Sequence, residues 1–382
     1  MKFIKLPLVV PVLSLLFSCS SSRITVIQKQ CAPKSLRFIG EYDIPHALLY
    51  KNTTVGGLSG IDYDSAHDCY YFICDDRSAI NPARYYTGRI FFSEQKIDSV
   101  GFTGMNYLLQ PDGKPYPNNK QDKYNTPDPE AIRYDPIRKN LTWTNEGERI
   151  LRDNEKVIAD PSIRVIGLNG TFSDSFPLPE NVRMTDKEMG PRQNGVFEGM
   201  SFADNYKKLF VNVEEPLYQD GPRADTVENN AFIRILEFDV KSKKNTNQYA
   251  YKLDPVAYPP SPATAYYING VPDILWIGKN RLLVIERSYS TGRTACTIKV
   301  YEADISGATD IKDMPSLRNS TFKAAEKKLL LNMDSLGIYI DNIEGVSFGP
   351  TLSNGHKTLL FVADNNFSPF EKSQVLLFEI SE

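Results

Sequence analysis

The stretch Phe197-Glu198-Gly199-Met200-Ser201-Phe202 decides the fold, because a similar stretch recurs four more times along the chain. Each copy starts with an acid or a small polar residue and continues as an alternating apolar strand, which a polar turn joins to a second strand. The starting residues are separated by 71, 68, 75 and 71 residues, and are Ser59, Glu130, Glu198, Asp273 and Glu344. A repeat this regular predicts a ring or array of similar units.

Two further strands follow in the repeats before the last, for example Phe232–Phe238 and Tyr249–Leu253 in the third. Four strands per unit predict an all-β fold, a β-propeller of five four-stranded blades, or six if a long loop contains a degenerate blade. The last repeat, ending at Ile380, has only three strands, whereas the chain from Arg37 to Pro45 is typical of an outer strand with no blade of its own. We therefore predict that the N-terminal strand completes the last blade, which removes an exposed sheet edge.

The N-terminus is typical of an exported bacterial lipoprotein. Lys2 and Lys5 precede an apolar run that is short for a membrane span but suits a signal peptide. Leu16-Phe17-Ser18-Cys19 resembles a lipobox, so we predict a signal peptide over 1–18, a lipidated Cys19 with a tether over 19–35, and the propeller over 36–382. An ordinary cleaved signal with an incidental Cys19 is the alternative. The expected location is the cell envelope, at the periplasm or the cell surface, with the membrane contacted only through the lipid.

Four more cysteines lie in the predicted mature chain, where the oxidising compartment permits pairing. Cys69 and Cys74 are five residues apart on one predicted strand, too far to bond each other there. Pairing otherwise stays open among Cys31, Cys69, Cys74 and Cys296.

Acidic residues recur at the same two positions of the repeat. Four of the five first-strand positions are acidic, and every second strand ends in an acid: Asp75, Glu146, Glu214, Glu286 and Asp364. Both positions are expected at one face of a propeller, so nine carboxylates are predicted to converge at one mouth of the channel. The alternative is structural, with these acids bound to backbone amides or paired with arginines between blades.

A cluster of carboxylates either raises its own pKa values or recruits cations. Ca²⁺ is the natural partner, because it takes six to eight oxygen ligands from carboxylates, amides and water. Candidate metal ligands are Glu146, Asp273, Asp364, Asp75 and Asn365, with Asn145 and Asn366 as further amides, and candidate catalytic ligands or bases are Glu130, Glu198, Glu214 and Glu344.

Three arginines follow strand-ending acids, namely Arg77, Arg149 and Arg287. Arginine binds phosphate and carboxylate groups through two parallel hydrogen bonds. A metal ion beside arginine suits hydrolysis of a small anionic ester. Each arginine could instead pair with its adjacent acid.

Composition excludes several other classes. The 44 basic and 47 acidic residues give a net charge of −3, which offers no field for nucleic acid, and a monomer is expected. Only three histidines are present, none at zinc-ligand spacing, and no nucleophile elbow or phosphate-binding glycine loop occurs.

Several motifs resemble the phytase-like family, described as having the esterase-like activity of phytase. They are Asp128-Pro129-Glu130-Ala131-Ile132, Asn194–Met200, Val213–Leu217, Asn342–Val346 and Ala363–Phe367, and the likeness runs from about Leu36 to Ile380. The resemblance implies an exported propeller with phosphoesterase or esterase activity. Ala131 and Ile274 stand where glycine is expected after the acid, so blades two and four are expected to be less regular at the mouth.

Two function classes therefore stay open. The first is a metal-dependent hydrolase of a phosphate ester such as phytate, or of a carboxylic ester or lactone. The second is a non-catalytic propeller that binds a peptide, glycan or anionic ligand at the same mouth, since the fold alone cannot choose between them.

Overall fold

The structure is a computed structural model that describes residue 1 and residues 28–382. The predicted signal peptide and Cys19 lie outside the described residues. Among the residues that are described, no helix is long and apolar enough to cross a membrane.

The regular secondary structure of the described chain is almost entirely β-strand. In chain order they are β1 (Ser35–Ile44), β2 (Leu49–Tyr50), β3 (Thr53–Thr54), β4 (Gly60–Asp64), β5 (Cys69–Cys74), β6 (Arg84–Phe92), β7 (Ile97–Tyr107), β8 (Pro129–Asp135), β9 (Asn140–Asn145), β10 (Glu148–Arg152), β11 (Glu155–Ala159), β12 (Ser162–Gly167), β13 (Phe172–Phe176), β14 (Phe197–Ala203), β15 (Lys208–Val213), β16 (Phe232–Asp239), β17 (Asn245–Lys252), β18 (Tyr267–Gly270), β19 (Ile274–Gly278), β20 (Arg281–Ser290), β21 (Thr297–Asp304), β22 (Glu326–Asn332), β23 (Asn342–Phe348), β24 (Thr358–Asp364) and β25 (Ser373–Ser381). Two short 3₁₀ turns cover Glu180–Val182 and Met333–Leu336.

These strands form five antiparallel blades, which confirms the predicted fold. Blade one is β4–β7, blade two is β8, β9, β12 and β13, blade three is β14–β17, blade four is β18–β22, and blade five is β23–β25 with β1. The inner strands β4, β8, β14, β19 and β23 contact one another in that order, and β23 returns to β4. The ring is therefore closed, with five blades rather than six.

The N-terminal strand closes the ring as predicted. β1 pairs antiparallel with β25, from Ser35 opposite Ser381 to Ile44 opposite Ser373. This pairing supplies the fourth strand of blade five and covers an edge that would otherwise attract other chains.

Apolar side chains pack between neighbouring blades in five clusters. The alternation of each strand sends every second side chain to one of these layers. Cys31, Cys74 and Cys296 are buried and Cys69 is partly buried, and all four are free thiols. The core therefore holds without a disulfide among them.

A buried ion pair closes the waist of the channel. Arg133 Nη2 lies 2.6 Å from Asp273 Oδ2, and both side chains are almost fully buried. Arg133 Nη1 donates to the Ile61 carbonyl at 2.8 Å, and the Val346 amide donates to Asp273 at 2.8 Å. Four blades are thus tied together at the axis, between a large acidic cavity at one mouth and a smaller one of about 300 Å³ at the other.

Candidate active site

One mouth of the channel opens into a cavity of about 640 Å³. Carboxylates dominate its wall, and they are Asp75, Asp128, Glu130, Glu146, Glu198, Glu214, Asp341, Glu344, Asp364 and Glu371. Three guanidinium groups also line it, those of Arg77, Arg287 and Arg293. The acids outnumber the bases, so the mouth is strongly negative unless protons or cations compensate.

β-Bulges bring three of the first-strand acids into this cavity. The register of blade two shifts between Pro129 and Ile132, and blades three and five show the same irregularity beside Glu198 and Glu344. A bulge inserts a residue opposite one partner residue and re-aims the side chain. The acid at the start of the inner strand is therefore turned toward the mouth.

The closest carboxylates form two overlapping groups. In one, oxygens of Asp75, Asp128 and Glu130 lie within 4.8 Å of one another, and in the other the same holds for Glu130, Glu146 and Glu198. Glu130 belongs to both groups, and the groups draw on blades one, two and three.

Two of these carboxylates have no N–H or hydroxyl donor among the described residues. The residues Glu130 and Glu198 are 6% and 9% exposed, and neither side chain receives a hydrogen bond from an N–H or hydroxyl group in the described part of the chain. Asp75 Oδ1 is also buried without a partner. Buried polar groups are nearly always satisfied, and oxygen ligands spaced like these suit a hard divalent cation. The residues present therefore fit a calcium site.

The electrostatics of the group agree with its geometry. Burial, and then the neighbouring carboxylates, raise the pKa of Glu146 to about 8. The same two causes raise the pKa values of Glu130 and Glu198 well above the usual range. Burial raises the pKa of Asp128 to about 6, although Arg77 opposes it. Without a cation, these groups hold protons at a pH where free carboxyls would be charged.

The opposite side of the cavity is balanced by arginine. Arg287 Nη2 lies 2.7 Å from Glu214 Oε1, and Arg287 Nη1 donates to Glu344 and to Asn342. Arg77 lies at the border of the carboxylate group, with Nη2 2.5 Å from Glu148 and Nη1 3.3 Å from Asp128. Glu214 and Glu344 are thus paired with a cation of the protein itself, unlike Glu130 and Glu198.

Seven of the nine predicted carboxylates line the cavity, and the prediction is wrong for Asp273 and Glu286. Asp273 is turned into the waist, where it pairs with Arg133. Glu286 accepts from Tyr251 at 2.7 Å and from Lys327 at 2.6 Å. In blade four both acids have structural partners that the repeat itself does not reveal.

Other predicted residues also lie elsewhere. Arg149 donates to the carbonyls of Thr185 and Lys187, both at 3.0 Å, and does not line the cavity. Asn365 Oδ1 accepts from the Gly57 amide at 3.0 Å and so fixes a turn. Asn145 Oδ1 likewise accepts from the Asp128 amide at 2.7 Å. Each is engaged by backbone groups and is not free to act as a ligand.

Asp364 and Asn366 do line the cavity, at the end of β24. Asp364 Oδ1 accepts from the Asn366 amide at 2.7 Å, which leaves its other oxygen available. Asp128 was missed at the sequence level. It stands two residues before Glu130, and the period-two alternation of a strand would have placed it on the same side.

The fold and the site together define an exclusively β-stranded propeller with an acidic, cation-suited mouth. The chain matches the family model "Phytase-like: Esterase-like activity of phytase" over residues 53–367, and it belongs to that family. This membership fits a hydrolase.

The chain is also similar to an uncharacterized secreted protein of Arthroderma benhamiae, with 31% identity over 179 residues. The match covers 43% of this chain and 34% of that relative, so it spans about a third of the relative's length.

Solved propeller structures resemble it only in outline. An exo-β-1,3-galactanase from Clostridium thermocellum matches with a TM-score of 0.45 and 10% identity, over 90% of this chain and 63% of that one. The periplasmic gluconolactonase of Pseudomonas aeruginosa matches with a TM-score of 0.36 and 10% identity, over 86% of this chain and 90% of that one.

Proposed function

We propose that this protein is an exported hydrolase that binds a divalent cation, Ca²⁺ first of all, at the acidic mouth and cleaves small anionic esters, chiefly phosphate esters. One observation carries the proposal. Glu130 and Glu198 are buried and receive no hydrogen bond from an N–H or hydroxyl group of the described residues. Oxygens of Glu130 lie within 4.8 Å of those of Asp75 and Asp128 in one group, and of those of Glu146 and Glu198 in the other. Membership of the phytase-like family supports the choice of an ester substrate.

The residues divide into roles by their partners. Glu130, Glu146, Glu198, Asp75 and Asp128 would hold the cation, and Asp364 extends the set from blade five. A divalent cation supplies a Lewis acid for the ester oxygen and lowers the pKa of water.

On the other side, Arg287 neutralises and orients Glu214 and Glu344. Burial raises the pKa of Glu344, and a carboxylate whose pKa is shifted toward neutrality is suited to accept a proton from an attacking water. Arg77 can bind an anionic oxygen of the substrate, because it lines the cavity and its side chain remains 29% exposed.

We further propose export through the signal peptide over 1–18 and attachment through Cys19, with a tether over 19–35 and the catalytic propeller over 36–382. The relative described as secreted supports an extracytoplasmic location. The proposed protein is a monomer in the cell envelope, and its substrate is a soluble small molecule.

The experiment is hydrolysis of p-nitrophenyl phosphate by the mature chain, with Ca²⁺ and then with a chelator. We expect activity that requires Ca²⁺ and falls at least 100-fold in Glu130→Gln, since Glu130 belongs to both carboxylate groups. Glu326→Gln, an exposed acid on the outer strand of blade four, is the matched control and should keep full activity.

p-Nitrophenyl acetate and a γ-lactone, tested in parallel, separate phosphate esters from carboxylic esters and lactones. Calcium binding with no turnover of any of the three substrates would indicate a non-catalytic binding propeller and not a hydrolase. Activity that chelation leaves unchanged would show that the reaction needs no cation.

A further inference from the structure

Blade four differs from the other blades where it borders the acidic cavity. Its second strand, β20, has 10 residues, whereas the second strands of the other blades have 6, 6, 6 and 7. The extra length pairs with β18, from Gly270 opposite Arg287 to Tyr267 opposite Ser290. The inner strand is thus split into β18 and β19, and we call β18 with the end of β20 the wall.

This wall presents aromatic and apolar side chains to the cavity. Ile268 and Tyr289 are direct cross-strand partners, and both line the cavity together with Tyr266. The rings of Tyr266 and Tyr289 lie 6.2 Å apart between centroids. Tyr266 is 56% exposed, and Phe370 of blade five, which extends the rim, is 90% exposed. Large apolar groups gathered at the rim of a cavity mark a binding surface.

The wall adjoins the reaction groups. Arg287, opposite Gly270 in the β18–β20 pairing, joins Glu214 and Glu344. Glu214 and Arg287 lie near enough to the Tyr266 hydroxyl for their charges to act on it. Within the described chain, neither Tyr266 nor Tyr289 gives its hydroxyl to a protein partner, so each wall ring offers a flat face and a free polar edge.

We propose that the substrate of this mouth is an ester with a single anionic group on a ring that has an apolar face, and that Tyr266 and Tyr289 determine this specificity. The proposal rests on the proposed function and specifies its substrate. The ester lies toward blades one to three, and the ring stacks on the wall. Aromatic side chains favour flat partners in offset or tilted contact.

The same geometry disfavours a ring that carries phosphate groups on every side. Such a polyanion would bring negative charge against the neutral tyrosines of the wall and against Asp341 and Glu371, which also line the cavity. Inositol hexakisphosphate is therefore expected to be a poor substrate compared with a monoester of a neutral ring.

Steady-state kinetics with phenyl phosphate, glucose 1-phosphate and ethyl phosphate test the proposal in the presence of Ca²⁺. We expect a KM about tenfold lower for a ring-bearing ester than for ethyl phosphate. Tyr266→Ala and Tyr289→Ala should each raise that KM several-fold with kcat nearly constant, and should leave ethyl phosphate unaffected. Tyr124→Ala, a comparably exposed tyrosine outside the cavity, is the control.

Tyr289→Phe distinguishes aryl esters from sugar esters, because it keeps the aromatic ring of the wall and removes the hydroxyl. An aryl ester should bind this variant normally, whereas a sugar ester should lose affinity because its hydroxyls lose a partner. Equal KM values for ethyl and ring-bearing esters, or alanine variants that bind ring esters normally, would overturn the proposal.

If the protein hydrolyses none of the three, calorimetry with phenylphosphonate and ethylphosphonate in Ca²⁺ measures the wall alone. Preference for the phenyl compound, lost in Tyr266→Ala, supports the wall even though the hydrolase proposal fails. Equal affinity for the two phosphonates contradicts it.

Discussion

Blades three and four carry an acid at the same position of the repeat, yet the two acids have opposite fates. Glu198 of blade three is turned by a bulge into the cavity and receives no donor from the described residues. Asp273 of blade four lies at the waist and is held by both Nη2 contacts of Arg133. The repeat therefore determines at which position of a strand a carboxylate occurs, whereas the neighbouring side chains determine whether that carboxylate can bind a ligand.

The second-strand acids show the same contrast. Glu146 lies among other carboxylates, and its pKa is raised to about 8. Glu286 accepts hydrogen bonds from Tyr251, Asn269 and Lys327, and belongs to the packing of blade four. Blade four thus contributes structural ion pairs and the wall, whereas blades one to three contribute the two closest carboxylate groups.

The largest expected effect comes from breaking the pair at the waist. Arg133→Met leaves Asp273 buried without its cation, and loss of one partner of a buried pair costs about 3–5 kcal/mol. Urea unfolding of the chelated protein measures this loss in the free energy of unfolding. The double variant Arg133→Met with Asp273→Leu should recover most of it. A loss below about 1 kcal/mol in the single variant would show that the waist does not depend on this pair.

Glu198→Gln tests whether Glu198, the acid of blade three, is a cation ligand. Saturating Ca²⁺ at about 100 times Kd should stabilise the native protein by about 2.7 kcal/mol, and the variant should lose most of that gain. Its stability in chelator should be equal to or above that of the native protein, because glutamine is neutral and avoids the proton uptake that buried Glu198 requires on folding.

Asp273→Asn is the matched variant at the same repeat position. It should be less stable in chelator and yet keep the gain from Ca²⁺. If Asp273→Asn abolishes the gain and Glu198→Gln does not, the assignment of the two blades is reversed.

The fold was predictable because it depends on periodic features of the sequence. The spacing from Ser59 to Glu344, the strand alternation and the unpaired strand near Phe38 determine blade number and closure without knowledge of side-chain partners. The fates of Asp273 and Glu286 were not predictable, since Arg133 and Lys327 are 140 and 41 residues away in sequence. The tyrosine wall was also missed, because its origin is a strand extension within blade four and not a motif.

The pH dependence of stability tests the raised pKa values of the carboxylate groups in blades one to three. The pKa of Glu146 rises from 4.5 to about 8 on folding and that of Asp128 from 3.8 to about 6, so the native state binds more protons than the unfolded chain between these values. In chelator, the stability contributed by these groups is therefore present below about pH 4 and is lost as pH rises toward 8.

Stability should therefore fall steadily between pH 5 and pH 8, as measured by urea unfolding in chelator. In saturating Ca²⁺ the trend should reverse, because the cation competes with the protons. A chelated protein that gains stability over the same range would contradict the raised pKa values.

Arg149→Ala is expected to have the smallest effect. Its guanidinium binds loop carbonyls and stacks on Tyr218, 4.7 Å from the ring centroid, away from the cavity. We expect unchanged KM and a loss of stability of about 1 kcal/mol or less. A large rise in KM would indicate that Arg149 does bind the substrate.

The most direct test of the central claim is a crystal structure of the mature protein grown with Ca²⁺. We expect an ion in the acidic cavity, with Glu130 and at least two neighbouring carboxylates supplying oxygens at about 2.3–2.6 Å. An empty cavity in saturating Ca²⁺, or an ion bound only on the Asp341 and Glu371 side, would contradict it.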